Sequence, residues 1–220
     1  FEIKVYKNKE DIIMKNLVIT IGRQYGSGGR EFGKKLAEAL GIAYYDNNLV
    51  ELAAKKSNIS PEISKKADEK ATNSLLYSLA TGAGFHGMFN GYYEMPINDR
   101  VFIAQAETIK QLAHEGSCVI VGRCANYVLR DDDEINKLDL YIYADLDHRI
   151  QRIKEEYNIT DAQAKEKITK IEKKRRTFYN YYSNGNWGYA SDYDLCINIT
   201  PIGFDAALEI VKSYIGKINK

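Results

Sequence analysis

The sequence predicts an α/β protein: a three-layer fold with a parallel five-stranded sheet and helices on both faces. Three observations carry this. Five short apolar runs alternate with helix-patterned segments, as in a parallel sheet covered on both sides. The runs hold almost no charge, so both faces of each strand are expected to be buried. Polar or charged residues sit at the ends of several runs, at Gly22-Arg23, Tyr45-Asp46, Gly122-Arg123 and Ala144-Asp145. Ligands of such sheets bind at these strand ends.

The elements follow in order. Leu17 to Ile21 is an uncharged, β-branched strand. A helix follows from about Arg30 to Leu40, with Phe32, Leu36 and Leu40 on one stripe and Gly41 as its C-terminal cap. Ile42 to Tyr45 is the second strand, and Asp46 suits the cap of a helix over Asn47 to Lys56. Ser60-Pro61 opens another helix, with proline at its first position. Residues 82–98 hold four glycines and a proline and read as a long loop. A helix from about Asp99 to Glu115 turns Val101, Ile109 and Leu112 inward, and Gly116 ends it. Ser117 to Val121 and Leu138 to Ala144 are the third and fourth strands. Helices are expected over Asp147–Glu156 and from Asp161 to about Tyr179. The polar aromatic stretch YYSNGNWGYASDY then forms a loop, before a fifth strand, Leu195–Ile199, and a closing helix, Phe204–Ile218.

Bulk numbers narrow the function. The 220 residues fit one domain, expected over 14–220, with residues 1–13 as an extension ahead of Met14, the expected natural start. A net charge of +1, from 31 basic and 30 acidic residues, argues against nucleic acid as a partner. No run approaches the ~18 apolar residues of a membrane span. Three cysteines without a CxxC pair argue against a disulfide framework and fit a reducing cytoplasm. The chain has 17 tyrosines, and a cluster of them in residues 179–193 suits packing or a ligand wall.

The richest segment is GRQYGSGGREFG, residues 22–33, between the first strand and the first helix. Gly26, Gly28 and Gly29 allow a backbone nest whose amides face an anion, and the helix N-terminus adds its positive end. Ser27 lies inside the turn, and Arg23 and Arg30 flank it with guanidinium groups suited to phosphate oxygens. Against the phosphate-loop pattern GxxxxGK[ST], one alignment puts Gly29 in the lysine place and Arg30 in the Ser/Thr place. Shifting by one puts Arg30 in the lysine place and Glu31 in the hydroxyl place. The cradle is present, and its charge must come from arginine.

Together, LVITIGRQYGSGGREFGKKLAEALGIAYYD, VIVGRCANYVL and YDLCINIT resemble the cytidylate kinase-like family of P-loop nucleotide kinases, over roughly residues 15–218. The resemblance implies an ATP-binding core, a helical acceptor-binding insertion (about 46–100) and a lid (about 149–182). It implies an ATP-dependent kinase using Mg²⁺ with ATP and a small phosphate-bearing acceptor, most simply CMP or dCMP. Arg23, Gly26, Ser27, Gly28, Gly29 and Arg30 would hold the ATP phosphates. Asp46, Arg100, Arg123 and Asn126 would line the acceptor site. Arg149, Arg152, Glu172, Arg175 and Arg176 would belong to the lid, and Arg30, Arg123 and Arg175 would be the catalytic cations. Cys124 stands where the family motif GRD has aspartate. That difference, with the missing lysine, keeps two alternatives open: a kinase for another small acceptor, and a non-catalytic nucleotide-binding protein. Metal ligands and oligomeric state are left open. Asp46 as a helix cap, Arg123 as a salt-bridge residue and Trp187 as loop packing are the simpler structural roles for those residues.

Overall fold

The structure, a computed structural model, describes residues 16–57, 59–68 and 95–218. The expected extension 1–13, with Met14, and most of the 82–98 loop lie outside the described residues.

Five strands form one sheet in the order β2-β3-β1-β4-β5, and every pairing is parallel. They are β1 (Leu17–Arg23), β2 (Ala43–Tyr45), β3 (Cys118–Val121), β4 (Asn136–Tyr143) and β5 (Leu195–Asn198). The helices are α1 (Gly29–Leu40), α2 (Asn47–Ser57), α3 (Pro61–Ala67), α4 (Ile97–Glu115), α5 (Ala125–Val128), α6 (Leu146–Tyr157), α7 (Asp161–Ser183) and α8 (Gly203–Ile218).

Strand alternation sorts two cores. Leu17, Ile19 and Ile21 of β1 meet Phe32 and Leu36 of α1 and Val211 and Ile215 of α8. On the opposite face Val18 and Ile120 meet Leu49 of α2 and Ile109 and Leu112 of α4. Apolar residues at every strand position are therefore explained by the two covered faces. One polar pair lies within the sheet. Thr20 of β1 donates its hydroxyl to buried Asp139 of β4 at 2.5 Å, and Lys137 Nζ reaches the other carboxylate oxygen at 2.7 Å.

Several expectations need correction. Gly22 and Arg23 end β1 rather than following it, because both still pair with β4. Asp46 does not cap α2 with its side chain. Its carboxylate is taken by arginines, and only its carbonyl accepts the Leu49 N–H, at 3.2 Å. Ile97 and Asn98 belong to α4 rather than to a loop. Helix α7 runs on to Ser183, since Tyr182 stacks on Phe102 with centroids 3.9 Å apart and its hydroxyl donates to Asp99 at 2.7 Å. The polar aromatic loop therefore begins after Ser183. By contrast, the Ser60 cap is formed as expected, its hydroxyl accepting the Ile63 N–H at 3.2 Å with Pro61 next.

Candidate active site

The sheet order puts the ends of β1 and β3 side by side, and the glycine loop starts there. Gly26 and Gly28 have φ of 81° and 79°, which turn the chain sharply into α1. Ser27 is fully buried: its hydroxyl faces the Gln24 and Ile142 carbonyls at 3.0 and 3.2 Å and accepts the Gly29 N–H at 3.3 Å. That side chain braces the loop, so a contact from Ser27 to a bound phosphate is limited to its backbone amide.

A pocket opens over the loop. Gly26, Gly28 and Gly29 form its floor, and Arg23, Arg30, Arg152 and Arg175 stand around it. Tyr25 and Tyr157 form part of its wall. A second pocket adjoins at the ends of β1 and β3, lined by Arg123, Asn126, Phe178, Tyr179, Trp187 and Tyr193. Arg23 and Arg175 line both. The two arginines therefore stand at the junction.

The cations differ in their attachments. Arg30 is more than half exposed, and its Nε donates to Asp46 at 2.5 Å. Arg123 is buried, donating from Nη1 to Asp46 at 2.8 Å and from Nη2 to Asp68 at 2.8 Å. Asp46 is thus held between two arginines, and Arg123 between two carboxylates. Arg175 donates from Nη1 to the Arg23 carbonyl at 3.3 Å, and its guanidinium carbon lies 5.4 Å from the centre of the Tyr25 ring. Arg149 is buried away from both pockets and donates to Glu172 at 2.6 Å; the same carboxylate oxygen accepts the Tyr25 N–H at 3.2 Å. Helix α7 is thereby clasped to both α6 and the glycine loop. Arg152 reaches Glu31 at 3.0 Å. Arg176 is exposed, 6.0 Å from the centre of the Trp187 ring. Arg100 lies in the first turn of α4 and lines neither pocket. Asn126 donates to the Tyr179 hydroxyl at 2.9 Å.

The backbone is also unusual here. Gly122, Arg123 and Cys124 have φ of 80°, 53° and 56°, three successive left-handed residues. Two of them are not glycine, and such conformations concentrate where function needs them. Burial pushes the phenols of Tyr25, Tyr141 and Tyr193 well above their ordinary range, so these side chains stay neutral hydrogen-bonding groups. Among the described residues no group of three or more His, Cys, Asp or Glu is placed to hold a metal ion.

Sequence reasoning missed Asp68, Tyr25 and Gln105. Asp68 receives Arg123 and the Gln105 side-chain amide (3.0 Å). No local pattern marks Asp68, since its partners lie far away in sequence. Tyr25 was visible inside the glycine segment but has no place in the phosphate-loop pattern.

The parallel sheet in this order, with a glycine loop leading into α1, defines the class: a P-loop kinase fold. The chain belongs to the cytidylate kinase-like family, which it matches over residues 18–201. It is similar to the crystal structure of an uncharacterized protein from Eubacterium ventriosum, with TM-score 0.68 and 27% identity over 91% of this chain and 98% of that one. It is also similar in fold to shikimate kinase from Bacteroides thetaiotaomicron, with TM-score 0.50 and 12% identity over 91% of this chain and 98% of that one. No curated protein matched the chain.

Proposed function

We propose that the protein transfers the γ-phosphoryl group of ATP to a small phosphate-bearing acceptor, a nucleoside monophosphate, most simply CMP or dCMP. One observation carries the proposal: Arg23 and Arg175 stand at the junction of the pocket over the glycine loop and the pocket at the end of β3. Phosphoryl transfer needs cations where charge spreads over the moving group, and it needs no nucleophilic side chain. In this reading ATP lies over Gly26–Gly29 with its terminal phosphate toward Arg23 and Arg175. Mg²⁺ arrives with ATP as part of the substrate. The acceptor lies between Asn126, Tyr179 and Trp187, and Asp46 stands behind Arg123, to which it is bound. Helices α6 and α7 form the lid and exclude water. The site of action is cytoplasmic, in keeping with free cysteines; among the described residues, no helix is long and apolar enough to cross a membrane.

The test is a transfer assay with Mg²⁺ and ATP against nucleoside monophosphates, nucleosides and sugar phosphates, with products separated by ion exchange. CDP or dCDP is the expected product. No turnover of any acceptor by protein that binds ATP would leave a nucleotide-binding protein and sink the kinase proposal.

A second reading, a kinase acting on a different small acceptor, has one specific support. Both ends of the Arg123 guanidinium are engaged by Asp46 and Asp68, which leaves it poorly placed to grip an acceptor phosphate. Turnover confined to an acceptor without a phosphate would favour it.

A further inference from the structure

We infer that Arg23 supplies the phosphate contact that a lysine supplies in an ordinary phosphate loop, because cation and glycine have exchanged places along this loop. The inference rests on the glycine loop being the ATP-phosphate cradle. Set the pattern GxxxxGK on residues 23–29: Gly28 keeps its place, arginine stands at the opening glycine, and Gly29 stands at the lysine.

The geometry explains why the two changes occur together. A Cβ placed on Gly29 would lie 2.6 Å from the Arg23 Cβ and 3.2 Å from its Cγ. Two side chains cannot start from positions 23 and 29 at once. Gly29 sits in the first turn of α1 without positive φ, so space, rather than backbone conformation, demands glycine there. Further out, a Cβ on Gly122 would overlap the Arg23 Nη1 and lie 2.9 Å from its Cζ. The two glycines thus clear a track along which the buried Arg23 side chain runs. Its base is rigid: Arg23 is still in register with Ile142 at the end of β1, and its carbonyl holds Arg175. Arg23 borders both pockets, whereas Arg30 borders the one over the loop but not the one at the end of β3, and its Nε is tied to Asp46.

The experiment is a titration of each variant with MgATP, with no acceptor present, beside the unfolding midpoint of each unliganded protein. Arg23→Gln is expected to weaken ATP binding by at least about tenfold, and Arg23→Lys by less, since a cation on the same stem is retained. Gly29→Lys alone is expected to lower the midpoint and weaken ATP, from the clash with Arg23. The double exchange Arg23→Gly with Gly29→Lys recreates the ordinary pattern and is expected to restore affinity to within about threefold, far above Arg23→Gly alone. A merely structural brace at Arg23 would not be rescued by a lysine from another position. ATP affinity unchanged in Arg23→Gln, or Arg23→Lys no better than Arg23→Gln, overturns the inference, as does a folded double variant no better than Arg23→Gly. Failure of the acceptor panel leaves this titration intact, while absence of ATP binding by the unaltered protein overturns both.

Discussion

Arg123 shows how one buried side chain can hold two carboxylates at once. It holds a left-handed backbone at the end of β3, and its buried guanidinium balances Asp46 and Asp68. Removing it strands two carboxylates in a poorly solvated place. Arg123→Ala is therefore expected to cost roughly 3–5 kcal/mol of stability, read from urea unfolding. If the monophosphate reading holds, turnover falls with it by at least about tenfold, because Asp46 loses one of the two groups that fix it. A stability loss within experimental scatter would show that the two ion pairs contribute little. At this scale the sequence was half legible. Glycines and arginines marked the turn at the end of β1, since their chemistry is local. The approach of residues 23, 29 and 122 was not legible, because the sheet sets it.

Helices α6 and α7 owe their docking to two kinds of contact. Ile150 and Ile153 pack on Ala164 and Ile168, and Glu172 clasps Arg149 and the Tyr25 N–H. The clasp is short and partly buried, so Glu172→Ala is expected to cost roughly 1.5–3 kcal/mol, leaving Arg149 without its carboxylate. It should also speed hydrogen exchange of the Tyr25 amide relative to the β1 amides. Unchanged exchange there would mean that the clasp does not hold α7 on the loop. Apolar runs made the strands legible, and caps such as Ser60 made helix starts legible. The end of α7 was hidden because Tyr181, Tyr182 and Ser183 look like a polar loop until Phe102 and Asp99 are seen beneath them. The short α5 was hidden because four residues carry no period.

At the scale of the whole molecule, the sheet carries a buried acid in β4, beside the central β1. Burial raises the pKa of the Asp139 carboxyl, against the lowering influence of Lys137 and Thr20, and Asp194 adds to the rise. The folded protein therefore keeps a proton that the unfolded chain has released. Stability contributed by this group falls as pH rises from the ordinary carboxylate value through the raised folded pKa, and then levels. Asp139→Asn is expected to flatten that fall, measured as urea midpoints across the acid range. An identical slope in the variant would remove Asp139 as the cause. The layer order was legible from alternation alone. The strand order was not: β1 lies between β3 and β4 through long connections that leave no local mark.

The crowding of positions 23 and 29 also constrains ancestry. An arginine at the first and a lysine at the second cannot coexist without shifting the loop, so neither arrangement turns into the other by gaining its cation first. The open route passes through glycine at both positions, with Arg30, Arg152 and Arg175 left as the cations around the loop.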